Sequence, residues 1–259
     1  MPGMQSAFLI RTVNKVPEVT VIFWLIKILS TTVGETGADY LAVNVGLGTV
    51  ITDAITLTLL LAALVLQLRA RRYLPALYWL SVVLVSIVGT QITDALTDGL
   101  GVSLYTSTAA FSVCLAVLFW LWHRSEGTLS IRSINTRRRE LLYWSAILLT
   151  FALGTAAGDL VTEALGWGFT LGVMIFSALI AVTALAARLG LNRVLAFWVA
   201  YILTRPLGAS LGDWLSQARE YGGMGLGTVY TSIAFLVVIV ALVAWLSYHE
   251  QPSRDSKTA

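Results

Sequence analysis

The sequence predicts an all-α membrane protein: eight transmembrane helices arranged as four tandem helical-hairpin repeats, with both termini cytoplasmic. Three observations carry the prediction. An aromatic-Trp pair, a Gly ten positions after the Trp and an Asp five positions after that Gly recur as Phe23-Trp24…Gly34…Asp39, Tyr78-Trp79…Gly89…Asp94, Tyr143-Trp144…Gly154…Asp159 and Phe197-Trp198…Gly208…Asp213, and four copies in step mark a tandem repeat. The 259 residues are 57% hydrophobic and only 12% charged, with a mean hydropathy of +0.80, too little polar material to cover a water-soluble globule of this size. Finally, apart from Lys27 and Arg205 within spans and Arg219 in a turn, the basic residues lie at the termini and between repeats, as the tendency of Lys and Arg to stay on the cytoplasmic side requires.

Each repeat supplies two apolar stretches near the ~20 residues that cross a bilayer as a helix. In the first repeat these are Val19–Tyr40 and Thr49–Leu68. The later pairs are 74–97 and 102–122, 141–163 and 169–188, and 194–217 and 228–248, with no alternating barrel pattern. The repeats run over about 15–72, 73–124, 137–190 and 191–250, forming one transmembrane domain over 1–250 with a flexible cytoplasmic tail at 251–259. A Gly-x-Gly closes each first span, at Gly46/Gly48, Gly99/Gly101, Gly166/Gly168 and Gly225/Gly227, and marks the turn between the two spans. The Arg205-Pro206 pair is expected to break the seventh span, because Pro lacks the backbone donor that continues a helix.

Basic residues gather at the termini and between repeats, as at Arg11, Lys15, Arg69, Arg71, Arg72, Arg137, Arg138, Arg139, Arg188, Arg193, Arg254 and Lys257, while Arg219 alone falls in a loop inside a repeat. The intra-repeat turns therefore face outward. The net charge of +3 is explained by topology, so no nucleic-acid partner is implied. The segment Met1–Lys15 has too short an apolar core for a secretory signal and is expected to stay attached. Cys114 offers no disulfide framework. The polar connection from His123 to Arg139 is the longest and divides the chain into halves of two repeats, related by parallel rather than inverted symmetry.

Within a first span the three motif positions read differently. The aromatic pairs follow basic residues closely and are expected at the cytoplasmic headgroup level, as belt residues. The glycines Gly34, Gly89, Gly154 and Gly208 lie about 15 Å deeper at 1.5 Å per residue, and with Gly158 and Gly212 they form a small-residue face for close helix packing. The Asp cannot be explained by packing, since a carboxylate at the span centre costs about 2.5–3.5 kcal/mol on insertion scales.

Steps of four residues follow one helix face, and they give the stripes Lys27-Thr31-Glu35-Asp39, Ser86-Thr90-Asp94-Asp98, Thr155-Asp159-Glu163 and Arg205-Ala209-Asp213-Gln217. Such stripes escape lipid only by facing one another or water. They hold seven carboxylates, Glu35, Asp39, Asp94, Asp98, Asp159, Glu163 and Asp213, against the two counter-ions Lys27 and Arg205, and Asp53 of the second span adds an eighth carboxylate. Asp98 and Glu163 lie either within the membrane or at its interface.

The surplus carboxylates must bind protons, face water or take up external cations. Their hard oxygens suit Mn²⁺, Mg²⁺ or H⁺, with Glu35, Asp39, Asp94, Asp159 and Asp213 as the metal-ligating set, whereas no Cys pair, Met cluster or His in the stripes suits copper or zinc. No nucleotide-binding, nucleophile-elbow or metalloprotease motif occurs, so an enzyme is not expected. The expected activity is a secondary transporter or channel for a hard cation, a divalent metal exchanged with protons. Its alternative is a membrane sensor or partner subunit using the 123–139 loop. No covalent cofactor is implied; the partners are the lipid bilayer, an inorganic cation and protons, with a homo-oligomer left open.

The run Lys15-Val-Pro-Glu-Val-Thr20…Phe23-Trp24…Lys27…Ser30-Thr-Thr-Val-Gly-Glu-Thr-Gly-Ala-Asp-Tyr40 and its echoes resemble bacterial integral membrane proteins built of four tandem copies of a two-span repeat of unknown function. The resemblance covers about residues 15–248 and implies an eight-span protein of the bacterial cytoplasmic (inner) membrane, without an activity. The fourth copy departs from it by Arg205-Pro206 and by Ala209 where the first copy has Glu35.

Overall fold

A computed structural model describes residues 14–43 and 48–249. The calls on Arg11, Gly46, Arg254, Lys257 and the 251–259 tail, and on residues 1–13 of the retained N-terminal segment, lie outside the described residues. The eight expected spans are eight helices: α1 (Val21–Val43), α2 (Thr49–Arg69), α3 (Pro75–Asp94), α4 (Leu104–Glu126), α5 (Arg137–Asp159), α6 (Gly168–Arg188), α7 (Arg193–Ser216) and α8 (Thr228–His249). Each is long and apolar enough to cross a membrane. Their N-termini use local signals: Pro75 opens α3, and Ser103, Thr136 and Asn192 accept backbone N–H bonds at the starts of α4, α5 and α7.

The turns depend on the second glycine of each Gly-x-Gly. Gly48, Gly101, Gly168 and Gly227 all have φ between 68° and 81°, in the left-handed region, and a Cβ on any of them would meet open space. Backbone conformation, not crowding, therefore requires glycine there.

The odd-numbered and even-numbered helices separate into two shells. Along an apolar stretch of 18 residues in each span, 61–67% of the residues of α1, α3, α5 and α7 are buried, against 11–22% in α2, α4, α6 and α8. The odd helices pack α1 on α3, α3 on α5, α5 on α7 and α7 back on α1, closing a ring. The even helices stand outside it, yet they touch their own repeat only lightly. Each leans on the first helix of the next repeat: α2 on α3, α4 on α5, α6 on α7, and α8 across the chain ends on α1. The expected hairpins thus exist in chain direction, while their packing is exchanged around the ring.

Register within the ring is set by the motif glycines. A Cβ on Gly34 would collide with Ser86, on Gly89 with Phe151 Cβ at 2.7 Å, on Gly154 with Arg205 Cβ at 2.5 Å, and on Gly208 with Thr31. Each of these partners lies three residues before the next repeat's own glycine. The four first helices are therefore parallel and related by one repeated head-to-tail contact that closes on itself. The small residues act as the sequence suggested: they let backbones approach.

The aromatic pairs do not form a belt. Phe23, Tyr78, Trp79, Tyr143, Trp144 and Trp198 are buried. The first ring of each pair meets the next repeat's Trp: Phe23 with Trp79 at 5.5 Å, Tyr78 with Trp144 at 5.5 Å, Tyr143 with Trp198 at 6.3 Å, and Phe197 with Trp24 at 5.7 Å. Spacing from a basic loop fixes depth along a helix but not the face, and here the face is inward, where large rings bury the most area.

Pro206 lies inside an unbroken α7. This corrects the expected break. Its ring sits over the small-residue face of α5, where a Cβ on Gly154 or Gly158 would lie 3.0 or 3.4 Å from Pro206, so a close helix neighbour accommodates it.

At the end bearing the basic loops, the long 123–139 connection folds back onto the bundle. Ile131 and Ile134 are buried, Leu129 O accepts from Trp198 Nε1 at 3.0 Å, and Arg139 Nε lies 2.7 Å from Glu126 Oε2. The segment before α1 crosses to meet it: Lys15 N–H donates to Ile134 O, and Lys15 Nζ lies 2.6 Å from Glu140 Oε2. The connection is thus a cover over the ring rather than a free polar loop.

Candidate functional site

The C-terminal halves of the four first helices carry the polar stripes into one cavity of about 790 Å³. All seven stripe carboxylates line it, and so does Asp53 from α2. It reaches the surface at the end of the bundle that carries the intra-repeat turns, through the exposed Val50 and Leu100. Glu35 and Asp213 are each 6% exposed, so at those two positions the carboxylate is held in the wall.

Two of the first helices lengthen their reach with π-helical turns, Ala95–Gly99 after α3 and Leu160–Ala164 after α5. Such turns add a residue per turn and redirect side chains. They follow the motif residues Asp94 and Asp159, and they bring Asp98 and Glu163 to the cavity wall. In the fourth repeat Gln217 occupies the corresponding place, leaving that sector neutral.

Arg205 stands at the inner end of the stripes, wholly buried. Its Nη2 donates to Glu35 Oε2 at 2.8 Å and to Thr90 Oγ1, and its Nη1 donates to Thr31 O at 3.1 Å. Gly154 on α5 leaves room for its stem, so one arginine side chain from α7 touches all three other helices of the ring, by its stem on α5 and its guanidinium on α1 and α3. Fork geometry suits Arg to this: several donors leave one plane toward different acceptors. Glu35 is the residue that both pairs with Arg205 and lines the cavity.

Lys27 lies one helical step farther from the mouth, wholly buried, and is not the carboxylate's partner that its place in the stripe suggested. Its ammonium sits 4.1 Å from the centre of the Phe151 ring and 4.3 Å from that of Tyr201, and Nζ has no hydrogen-bond partner among the described residues. Aromatic faces attract a cation held that close. Beyond Lys27 the aromatic rings and the hydrogen bond between Tyr78 and Tyr143, 2.5 Å between hydroxyls, fill the ring. The cavity is therefore a vestibule with a floor, not an open channel.

Among the described residues, no group of three or more His, Cys, Asp or Glu side chains stands close enough together to hold a metal ion. The five expected metal-ligating carboxylates share one cavity but do not converge on one point. Sequence reasoning missed Gln91, which lines the cavity beside Asp94 with Nε2 3.5 Å from Thr56 Oγ1 and Oε1 unpartnered among the described residues. An amide inside an apolar span was the available signal, and it lies one residue off the four-step stripe. Thr90 was named only as part of a stripe, and its bond to Arg205 depends on how α3 and α7 approach.

The family model described as Repeat of Unknown Function (DUF347) matches four times, at residues 22–73, 77–128, 142–189 and 196–251. No curated protein and no solved structure matches the chain.

Proposed function

From its membership of the DUF347 repeat family, which brings a fourfold membrane repeat but no activity, we propose that this protein is a secondary transporter or channel that takes a hard cation into the acidic vestibule and exchanges it with protons. One observation supports this above the others: eight carboxylates line a single surface-reaching cavity whose inner end is held by the buried Arg205 guanidinium. That arrangement attracts positive charge and stops it at a defined depth. Carboxylates in such a place exchange protons for other cations.

Mn²⁺ and Mg²⁺ are the metals the oxygen donors suit. With no three acids converging, the ion would be carried with much of its water shell, as Mg²⁺ readily is. The basic loops favour a cytoplasmic location for the floor end and both termini, so the vestibule opens outward from a bacterial inner membrane. Glu35 links cargo to floor, because a cation that takes this carboxylate competes with Arg205 for it.

Purified protein in liposomes is expected to move Mn²⁺, Mg²⁺ or protons, with flux lost in Asp94→Asn and Asp159→Asn. Equal flux in wild type and both variants would sink the assignment of the site. Absence of any flux together with a stable cytoplasmic protein partner would replace transport by a sensing role.

A further inference from the structure

The vestibule's wall is unlike a metal-binding shell, and the difference points to the class of cargo. Its acids are distributed in tiers: Glu35 lies one helical step inward of the motif Asp ring, and Asp98 and Glu163 one step outward. Four residues at 1.5 Å each put Glu35 about 6 Å inward of the Asp ring, and the π-helical turns carry Asp98 and Glu163 outward of it. No three acids gather at any tier closely enough to replace a metal's water shell. A point charge therefore uses few of them at once.

The second observation is independent of the carboxylates. Gln91 is only 8% exposed, lines the vestibule, and keeps its Oε1 without a partner among the described residues. A buried amide oxygen left this way calls for an N–H donor. The wall also offers aliphatic surface, from Ala38 inside to Val50, Leu100 and Leu104 near the mouth. The protein's own buried guanidinium follows the same chemistry, for Arg205 is held by a carboxylate, a carbonyl and a hydroxyl.

We infer that this vestibule takes, beside a hydrated metal ion, an aliphatic polyamine, a cation whose ammonium groups are spaced along a methylene chain. One ammonium pairs with the motif Asp ring and a second with the Asp98 and Glu163 tier, while a methylene segment lies along Leu100 and Leu104. An N–H of the inner ammonium donates to Gln91 Oε1. The volume, about 790 Å³, is within the range of sites that enclose small organic molecules. This inference rests on the reading of the vestibule as a cation pathway and names what travels in it.

The full chain reconstituted in liposomes tests it with radiolabelled spermidine and with Mn²⁺ in parallel, in wild type, Asp94→Asn and Gln91→Leu. Spermidine uptake at least tenfold above empty liposomes, lost in Asp94→Asn and reduced severalfold in Gln91→Leu, is the expected result. A thermal shift of the wild-type protein by spermidine, and not by its fully acetylated form, supplies a reading that needs no variant to fold. Uptake of Mn²⁺ without uptake or binding of spermidine overturns the polyamine assignment and leaves the cation pathway standing. Failure of every cation to move or bind overturns both.

Discussion

Replacing Glu35 with Ala removes the only carboxylate paired with Arg205 among the described residues and leaves a guanidinium that is 0% exposed with neutral acceptors, the Thr31 carbonyl and the Thr90 hydroxyl. Breaking a buried ion pair from one side costs about 3–5 kcal/mol. At about 2–4 °C per kcal/mol for a chain of this size, the melting temperature in detergent should fall on the order of 10 °C. The reverse change, Arg205→Met, should cost about 1–2 kcal/mol, because Glu35 then faces the vestibule, where water solvates it, and Met keeps the Cβ and Cγ that fill the space over Gly154. The double variant carries neither charge, so it should be more stable than Glu35→Ala alone, with a coupling of about 1–3 kcal/mol between the sites. Thermal unfolding of the four proteins, followed by the loss of monodisperse protein on a sizing column, measures this. Additive effects, or a larger loss in Arg205→Met than in Glu35→Ala, would refute the argument that Glu35 belongs to both the floor and the wall.

Three further outcomes follow from the ring. Trp79→Ala should destabilise the protein by about 3–5 kcal/mol, as a fully packed ring does, and the partly exposed Trp24→Ala by less, whereas belt residues would both be nearly silent in detergent melting curves. Gly89→Ala should cost about 1–3 kcal/mol through its collision with Phe151, while Gly99→Ala, with open space around the new methyl, should leave the melting temperature unchanged. A chain cut between Arg71 and Arg72 and expressed as two pieces should co-purify as one complex, because α1 and α2 keep their contacts with α3, α7 and α8 without the peptide link; separate recovery of the pieces would contradict the exchanged packing.

The sequence was most informative where one residue's chemistry permits one environment. Charges inside spans must turn from lipid, and the seven stripe carboxylates do share a cavity. Glycine at a fixed place in four copies implied close approach, and each motif glycine has its neighbour three residues before the next glycine. Span lengths likewise needed only hydropathy and the Gly-x-Gly turns. What remained hidden depended on rotation and pairing between helices. A Trp at a given depth faces lipid or a neighbour with equal ease, so the belt reading of Trp79 and Trp144 failed. Lys27 and Glu35 lie on one face eight residues apart, which says nothing of Phe151 and Tyr201 arriving from other helices to hold the ammonium. Pro206 was read from its own helix alone, while its accommodation comes from the glycines of α5. The exchange of second helices between repeats was equally illegible, since a short turn sets chain direction and leaves open which neighbour an outer helix prefers.

The closure of α8 and α7 on α1 has a consequence for biosynthesis. Thr36 waits for Ser232, a partner 196 residues later in the chain, and Thr31 and Glu35 wait for Arg205, 174 and 170 residues later. α1 also has the lowest hydropathy of the eight spans, 1.2, and it precedes the other seven, so it has the weakest claim of its own to the bilayer. Until synthesis reaches the last hairpin, its polar face needs shelter from the insertion machinery or from the helices already made. Assembly of these eight helices is therefore timed by α8, and a truncation that removes only α8 should expose α1 to quality control rather than yield a smaller working bundle.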